Sequence, residues 1–303
     1  MVASNAVPAS YSTDPDVKAA APNGAIGHRD LVGHTARLER KLWSVADGVW
    51  CLVGNGLSNQ TFVEGPDGLI VIDTGESNQE MAAALAEVRV HTPAPVVAAI
   101  YTHSHYVGGT EALYEAGAPV DMPIWGHAGI AANRQAYGTV LSAVAGRGLV
   151  HQFGISLPPE GPDALVNVGL GLSYRSPEHA PFTVGFVPPT ETFTEPVETS
   201  IAGLRVEMTP APSDSDDSVT IWFPDLGVCV HNIIWPTLFN VFAIRGEEYR
   251  DPRILLTGID HVIGLDAEHL VCAHGPPMSG ADRIRTEATD YRDSIQFLWD
   301  QTV

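Results

Sequence analysis

Val96-Val97-Ala98-Ala99-Ile100-Tyr101-Thr102-His103-Ser104-His105-Tyr106-Val107-Gly108-Gly109 is the stretch on which the reading of this chain turns. An unbroken apolar run of this length, closed by polar residues, reads as a short buried strand. Two histidines follow at its end. Side chains at i and i+2 of an extended chain point the same way, so His103 and His105 can share one metal ion. Only Tyr106 and Val107 then stand before the Gly108-Gly109 pair.

Outward from this loop the pattern alternates strands and helices. From Leu42 on, short apolar runs at 49–53, 61–64 and 69–72 read as strands, and Gly65-Pro66-Asp67-Gly68 between the last two is a hairpin turn. Asp73-Thr74-Gly75 ends the third strand. Residues 78–90, with Met81, Leu85 and Val88 on one face, read as a helix. Helices are also expected over 110–117, 128–145 and 280–299. Further strands are expected at 123–127, 204–208, 219–223, 228–231 and 269–273. The segment 156–200, rich in Gly, Pro, Thr and Glu and without periodicity, is expected to be a lid or a substrate-binding loop. Residues 1–25, rich in Ala, Ser and Pro, read as a flexible arm ahead of one domain over 26–303.

The 16 basic and 36 acidic residues leave a net charge of -20, which argues against nucleic acid and anionic membrane surfaces as partners. It does not argue against a small anionic substrate held by a few local cations. Cys51, Cys229 and Cys272 are far apart in apolar contexts and read as reduced, buried thiols. No signal peptide and no membrane-length apolar stretch is visible, so a soluble, cytoplasmic protein is expected.

Other polar residues fall at the ends of apolar runs, where strands of a packed sheet can converge on one cleft. His127 closes Ile124-Trp125-Gly126, His231 closes Val228-Cys229-Val230, and His274 closes Leu270-Val271-Cys272-Ala273. Asp214 lies in the turn Pro212-Ser213-Asp214-Ser215-Asp216-Asp217. A set of His and Asp suits zinc or a similar cation. Asp73 reads as a hydrogen-bond acceptor beneath the metal loop. The remaining histidines, 28, 34, 91, 151, 179, 261 and 269, read as surface or hydrogen-bonded core residues.

With these residues in place, the chain resembles the metallo-β-lactamase superfamily, and within it the alkylsulfatase-like branch. The blocks that carry the resemblance run from Glu64 to Gly75, from Tyr101 to His105, from Ser213 to Pro224, from Phe239 to Gly246, over Tyr249-Arg250-Asp251, and from Asp290 to Val303. The resemblance implies an α+β fold, a four-layer αββα sandwich with the metals at one edge of its two sheets. It implies His103, His105 and Asp214 as ligands of a first metal, Asp214 standing where the family has Glu. The family's His-x-His-x-Asp-His loop carries an Asp and a His for a second metal. Both are missing here, His231 stands at a later carboxylate position, and His274 matches, so one ion or two is left open. The resemblance also places Asn240 and Arg245 at the anionic head group of the substrate. Family members commonly continue into a dimerisation domain and a lipid-transfer-like domain, so a homodimer is open too, and the chain stops at Val303 before both.

The implied activity is hydrolysis of a sulfate ester or related ester of a small organic molecule by water activated on the metal, whose pKa drops to roughly 7. Tyr106 could donate to a developing oxyanion, Asp217, His231 or His274 could orient the water, and His127 could contact substrate or support the pocket. Trp235, Leu238, Phe239 and Phe242 could line an alkyl-binding tunnel or belong to the core. Esterase, lactonase, thioesterase and β-lactamase chemistry fit the same scaffold. A non-catalytic small-molecule-binding protein, or an iron or manganese centre on a His/His/carboxylate face, are readings of other classes.

Overall fold

The computed structural model describes residues 15–234 and 250–302. A short pair opens it, β1 (Lys18–Ala20) antiparallel to β2 (Ile26–His28), followed by helix α1 (Arg29–His34). The part of the expected N-terminal arm that is described is therefore structured: Val17, Ala21 and Ala25 are buried, the latter two packing with Ala164. The alanines that made this stretch look unstructured are what fit into that small contact.

One sheet has seven strands in chain order: β3 (Lys41–Ala46), β4 (Val49–Val53), β5 (Gln60–Gly65), β6 (Gly68–Ile72), β7 (Val96–Ile100), β8 (Ile124–His127) and β9 (Glu191–Phe193). The hairpin between β5 and β6 closes with Gly65 opposite Gly68, leaving Pro66-Asp67 as its two-residue turn. From β6 on the pairing is parallel, and helix α2 (Asn78–Val88) makes the crossover to β7. The second sheet has six strands, also in chain order: β10 (Val197–Ile201), β11 (Leu204–Pro210), β12 (Val219–Phe223), β13 (Val228–His231), β14 (His269–Cys272) and β15 (Met278–Ser279).

Alternation along the strands decides the layers. Val49, Cys51 and Val53, Ile70 and Ile72, Ala98 and Ile100 face Val219, Ile221, Phe223, Val228, Val230 and Val271 across the two sheets. The opposite faces carry Leu52, Leu69 and Val71 against Met81, Leu85 and Val88 of α2, and Leu113 of α3 (Glu111–Glu115). The outer face of the second sheet carries Cys229 and Leu270 against Leu255 and Ile259 of one helix and Ile284 and Ile295 of another. The four-layer αββα sandwich expected from the resemblance is the observed architecture.

Two helical expectations need correction. The stretch 128–145 is two helices, α4 (Ile130–Gly138) and α5 (Ser142–Gln152), separated around Thr139, whose amide closes on Ala136 O. Helix α6 (Pro252–Gly264) was not read from the sequence, although Asp251 caps it through Arg253 N and Pro252 occupies its first turn. The last helix, α7 (Ala281–Thr302), matches the expected one. The segment 156–200 is tied down at its far end: Thr183 O accepts Asn78 N at 2.8 Å, and Gly185 exchanges bonds with Gly108 O and Glu111 N at 2.6 and 2.9 Å.

The start of α2 carries a buried carboxyl. Ser77 Oγ accepts Glu80 N at 3.2 Å, and Glu80 accepts Glu76 N at 3.1 Å and Gln60 Nε2 at 2.9 Å. Burial, with Glu76 nearby, pushes the Glu80 carboxyl up from 4.5 to about 8. The folded protein thus holds a proton that the unfolded chain releases above 4.5, and the associated stability is lost as pH rises through about 8. Between pH 5 and pH 8 wild type should therefore lose a few °C of Tm that Glu80→Gln does not, whatever constant offset the substitution brings. Parallel Tm profiles in thermal melts would refute the raised carboxyl.

Candidate metal centre

The His pair sits where β7 runs out. Asp73, just past β6 and at a positive φ of 57°, turns its carboxylate back under this loop. It accepts Thr102 N at 2.8 Å and Thr102 Oγ1 at 2.5 Å. Having given its hydrogen to Asp73, the Thr102 hydroxyl must accept from His103 Nδ1, 2.8 Å away. That fixes the tautomer: His103 Nε2 carries the lone pair. Nε2 is buried and has no hydrogen-bond partner among the described residues. Burial, with Asp217 nearby, pushes the Asp73 carboxyl up to about 6 against the pull of His103 and Thr102. Asp73 thus does what the sequence suggested, ordering the loop from beneath.

Across from it, the turn between β11 and β12 supplies Asp214. Its Oδ2 lies 2.8 Å from His105 Nδ1 and 3.6 Å from His103 Nε2. Among the described residues, His103, His105 and Asp214 form a group whose ligand atoms all lie within 4.8 Å of one another. His105 Nε2 meets the Tyr137 hydroxyl of α4 at 2.9 Å. Arg250, 9% exposed, gives Nη2 to Asp214 Oδ1 at 2.8 Å and to Asp214 O at 3.0 Å. Burial alone would raise the Asp214 carboxyl, but His105, His103 and Arg250 outweigh it and hold the group well below the ordinary range. A cation fits this set: one buried nitrogen lone pair without a partner, and a carboxylate kept ionised at neutral pH.

Asp217, expected to orient water, is placed as a brace. Its Oδ1 accepts Ser104 N at 3.2 Å and its Oδ2 accepts Asn133 Nδ2 at 2.9 Å. His127 accepts Gly129 N at Nδ1, 3.1 Å away, and so steadies the entry to α4. Tyr106 is buried, its ring edge-on to His103 at 5.3 Å, His105 at 6.0 Å and His274 at 5.1 Å.

His231 and His274 lie outside the close group, and hydrogen bonding separates their uses. His274 Nδ1 donates to Leu57 O at 2.8 Å, so the other nitrogen bears the lone pair. His231 Nδ1 instead accepts Ile233 N and Ile234 N at 3.1 and 3.2 Å, which puts its hydrogen on Nε2. That nitrogen is buried and without a hydrogen-bond partner among the described residues, and His231 lies outside the close group formed by His103, His105 and Asp214. Burial keeps both rings neutral, pushing His231 down to about 3 and His274 to about 4.

A cavity of about 550 Å³ opens beside the group, lined among the described residues by His105, Tyr137, Asp214 and Arg250 on its polar side and by Leu141 and Leu255 on its apolar side. The sequence reading did not single out Arg250, Tyr137 or Asn133 as site residues. Arg250 alone had a signal, its place in the Tyr249-Arg250-Asp251 block. Asn240 and Arg245, and the aromatic residues 235–242, lie outside the described residues.

A sequence profile of the metallo-beta-lactamase superfamily matches residues 53–231, the span from β4 through β13. The chain belongs to the metallo-β-lactamase superfamily. Within it, the chain is 31% identical over 248 residues to a linear primary-alkylsulfatase of Pseudomonas sp. (strain ATCC 19151), covering 80% of this chain and 46% of that protein. It is 29% identical over 274 residues to the alkyl/aryl-sulfatase BDS1 of Saccharomyces cerevisiae, covering 86% of this chain and 41% of that one. The chain thus spans less than half the length of these relatives. Among solved structures, the stereoselective inverting sec-alkylsulfatase Pisa1 from Pseudomonas sp. superposes with a TM-score of 0.78 at 24% identity, over 86% of this chain and 42% of that one. A metallo-beta-lactamase from Pontibacter korlensis shares the fold at a TM-score of 0.53 and 16% identity, over 85% and 99%.

Two outcomes follow from the hydrogen bonds around the metal-binding atoms. Thr102→Val removes the acceptor that fixes the His103 tautomer, and zinc affinity measured by chelator competition should fall about 10- to 100-fold. His91→Ala, on the far side of the fold, should leave it unchanged. Arg250→Gln leaves Asp214 short of its buried partner, so the zinc-free protein should lose about 3–5 kcal/mol of stability. Added zinc should recover more Tm in that variant than in wild type, because the cation takes over the charge on Asp214. Equal zinc-induced shifts would show that Arg250 and the cation do not share this carboxylate.

Proposed function

We propose that this chain is a hydrolase domain acting on sulfate esters of small organic molecules, with one divalent cation, zinc, held by His103, His105 and Asp214. The observation that carries the reading is the convergence of those three ligand atoms within 4.8 Å at the wall of a 550 Å³ cavity. The alkylsulfatase identity of the relatives at about 30% supports the substrate class. Two imidazoles and one carboxylate are a donor set that zinc accepts while keeping a position open.

When bound there, the cation supplies Lewis acidity toward an ester oxygen and lowers the pKa of water. Every other part is supplied by the protein. His103 is held in its ligating tautomer through Thr102 and Asp73. Asp217 holds the Ser104 amide and α4 together, so the His pair keeps its spacing. Arg250 holds Oδ1 of Asp214, leaving Oδ2 to face the imidazoles. The apolar wall at Leu141 and Leu255 accepts the organic part of the ester and keeps water from it. We assign Arg245 and Asn240 to the sulfate group on the strength of the Asn-x-x-x-Ile-Arg-Gly block. His274 lies outside the close group, with the Tyr106 ring packed between it and the His pair, and we leave it out of the ligand set.

Metal analysis of zinc-loaded protein should give one zinc per chain, and the loaded protein should release sulfate from an aryl or alkyl sulfate. His103→Ala should lower both zinc retention and kcat/KM, the latter at least about 100-fold. Two zinc ions per chain would return His274 to the ligand set. Full loading with no sulfate released, and turnover of a carboxyl ester instead, would move the domain to an esterase reading.

A further inference from the structure

Tyr137 lines the cavity from α4 and meets His105 Nε2 at 2.9 Å, while His105 Nδ1 meets Asp214 Oδ2 at 2.8 Å. These two bonds have directions. Arg250 Nη2 takes the other oxygen of Asp214 at 2.8 Å, so this carboxylate accepts at Oδ2 as well, the imidazole hydrogen sits on Nδ1 and the Tyr137 hydroxyl donates to Nε2. A cation shared by His103, His105 and Asp214 needs a lone pair on His105 Nδ1, because that is the atom facing Asp214. The ring hydrogen must then reside on Nε2, and Nε2–H must point at the Tyr137 oxygen. The phenol becomes the acceptor of that bond, and its own hydrogen turns away from His105.

We propose that Tyr137 is a catalytic residue switched on by metal loading: its phenol, turned by the change of tautomer at His105, donates a hydrogen bond into the cavity to an oxygen of the ester. This rests on the sulfate-ester reading given above. The geometry suits it, since the rings of His105 and Tyr137 stand edge-on at 5.4 Å and 82°, and Tyr137 is half-buried at the cavity wall next to Leu141. No proton leaves the phenol. The hydrogen bond stabilises negative charge as it builds on the oxygen of the departing alcohol. A donor of this kind matters most where that charge is largest, on alkyl esters whose alkoxide is a poor leaving group, and least on aryl esters.

Two measurements test it, and they fail separately. In protein labelled with 15N at histidine, zinc alone should move the His105 ring hydrogen from Nδ1 to Nε2, read from long-range proton–nitrogen correlations. Persistence of the Nδ1 hydrogen in the zinc-loaded protein would overturn the switch, whatever the enzyme cleaves. Tyr137→Phe should keep zinc at one per chain and lower kcat on a long-chain alkyl sulfate at least about tenfold more than on an aryl sulfate, with KM little changed. Equal losses on the two esters, a change confined to KM, or loss of zinc would each reduce Tyr137 to a support for His105 and overturn the donor role. If wild type cleaves neither ester although the switch is seen, the sulfate-ester reading falls with the catalytic role, and the switch itself stands.

Discussion

A buried carboxylate is the constraint around which this end of the molecule is arranged. Asp214 is 9% exposed, and an ionised carboxyl there is costly unless charge and hydrogen bonds surround it. Arg250 comes from the entry to α6, His105 from the end of β7, and each takes one of its oxygens. The turn that carries Asp214 is fixed by Ser213 Oγ on Asn232 O at 2.8 Å and by Asp217 on Ser104 N. Val219 N on Thr102 O, at 2.8 Å, joins the start of β12 to the end of β7. Asn59 likewise bonds Cys272 O and Gly275 O at 2.8 and 2.7 Å, joining the first sheet to the end of β14. The two sheets are thus stitched together by polar bonds at the edge where the ligands converge, and by apolar packing everywhere behind it.

Three of the imidazoles at this edge, those of His103, His274 and His231, illustrate how a partner decides what a histidine can do. His103 donates through Nδ1 to a threonine and keeps its lone pair at Nε2. His274 donates through Nδ1 to Leu57 O and does the same. His231, at an equally suggestive place at the end of β13, accepts two backbone amides at Nδ1 and carries its hydrogen on Nε2. Burial keeps His231 and His274 neutral, so neither adds positive charge beside Arg250.

Much of this was legible along the chain. Strands β4, β12 and β13 coincide with the expected ones, and the β5–β6 hairpin has the expected turn, because each is a short apolar run between strong turn residues. The His pair and Asp214 were legible because they follow such runs. Arg250 was visible only as part of the Tyr249-Arg250-Asp251 block and Tyr137 not at all, since they meet Asp214 and His105 across 36 and 32 positions of sequence, and no local pattern encodes that meeting. The same holds for the His231 tautomer, which depends on how the backbone turns after β13. Helix α6 was legible in principle, from Asp251 and Pro252, but lies just past a stretch whose pattern suggested a substrate wall.

The short loop after the His pair is packed tightly against the turn that precedes α2. Gly108 and Gly109 lie directly on the 74–77 turn: a Cβ at Gly108 would stand 2.4 Å from Glu76 O, and one at Gly109 would stand 2.3 Å from Thr74 O. With Thr74 N on Tyr106 O at 2.9 Å and Gly108 N on Gly75 O at 2.8 Å, residues 106–109 have little freedom to move outward. Tyr106 is thereby pressed inward, between the His pair and His274, with Leu57 and Phe153 packed against it. Its ring stands edge-on to His103 and His105 on one side and to His274 on the other. The positive charge at this edge then comes from Arg250, a group that needs no loading and cannot be lost to a chelator. The short loop, the Tyr106 ring beside the imidazoles and the arginine on Asp214 are thus parts of one tightly packed edge.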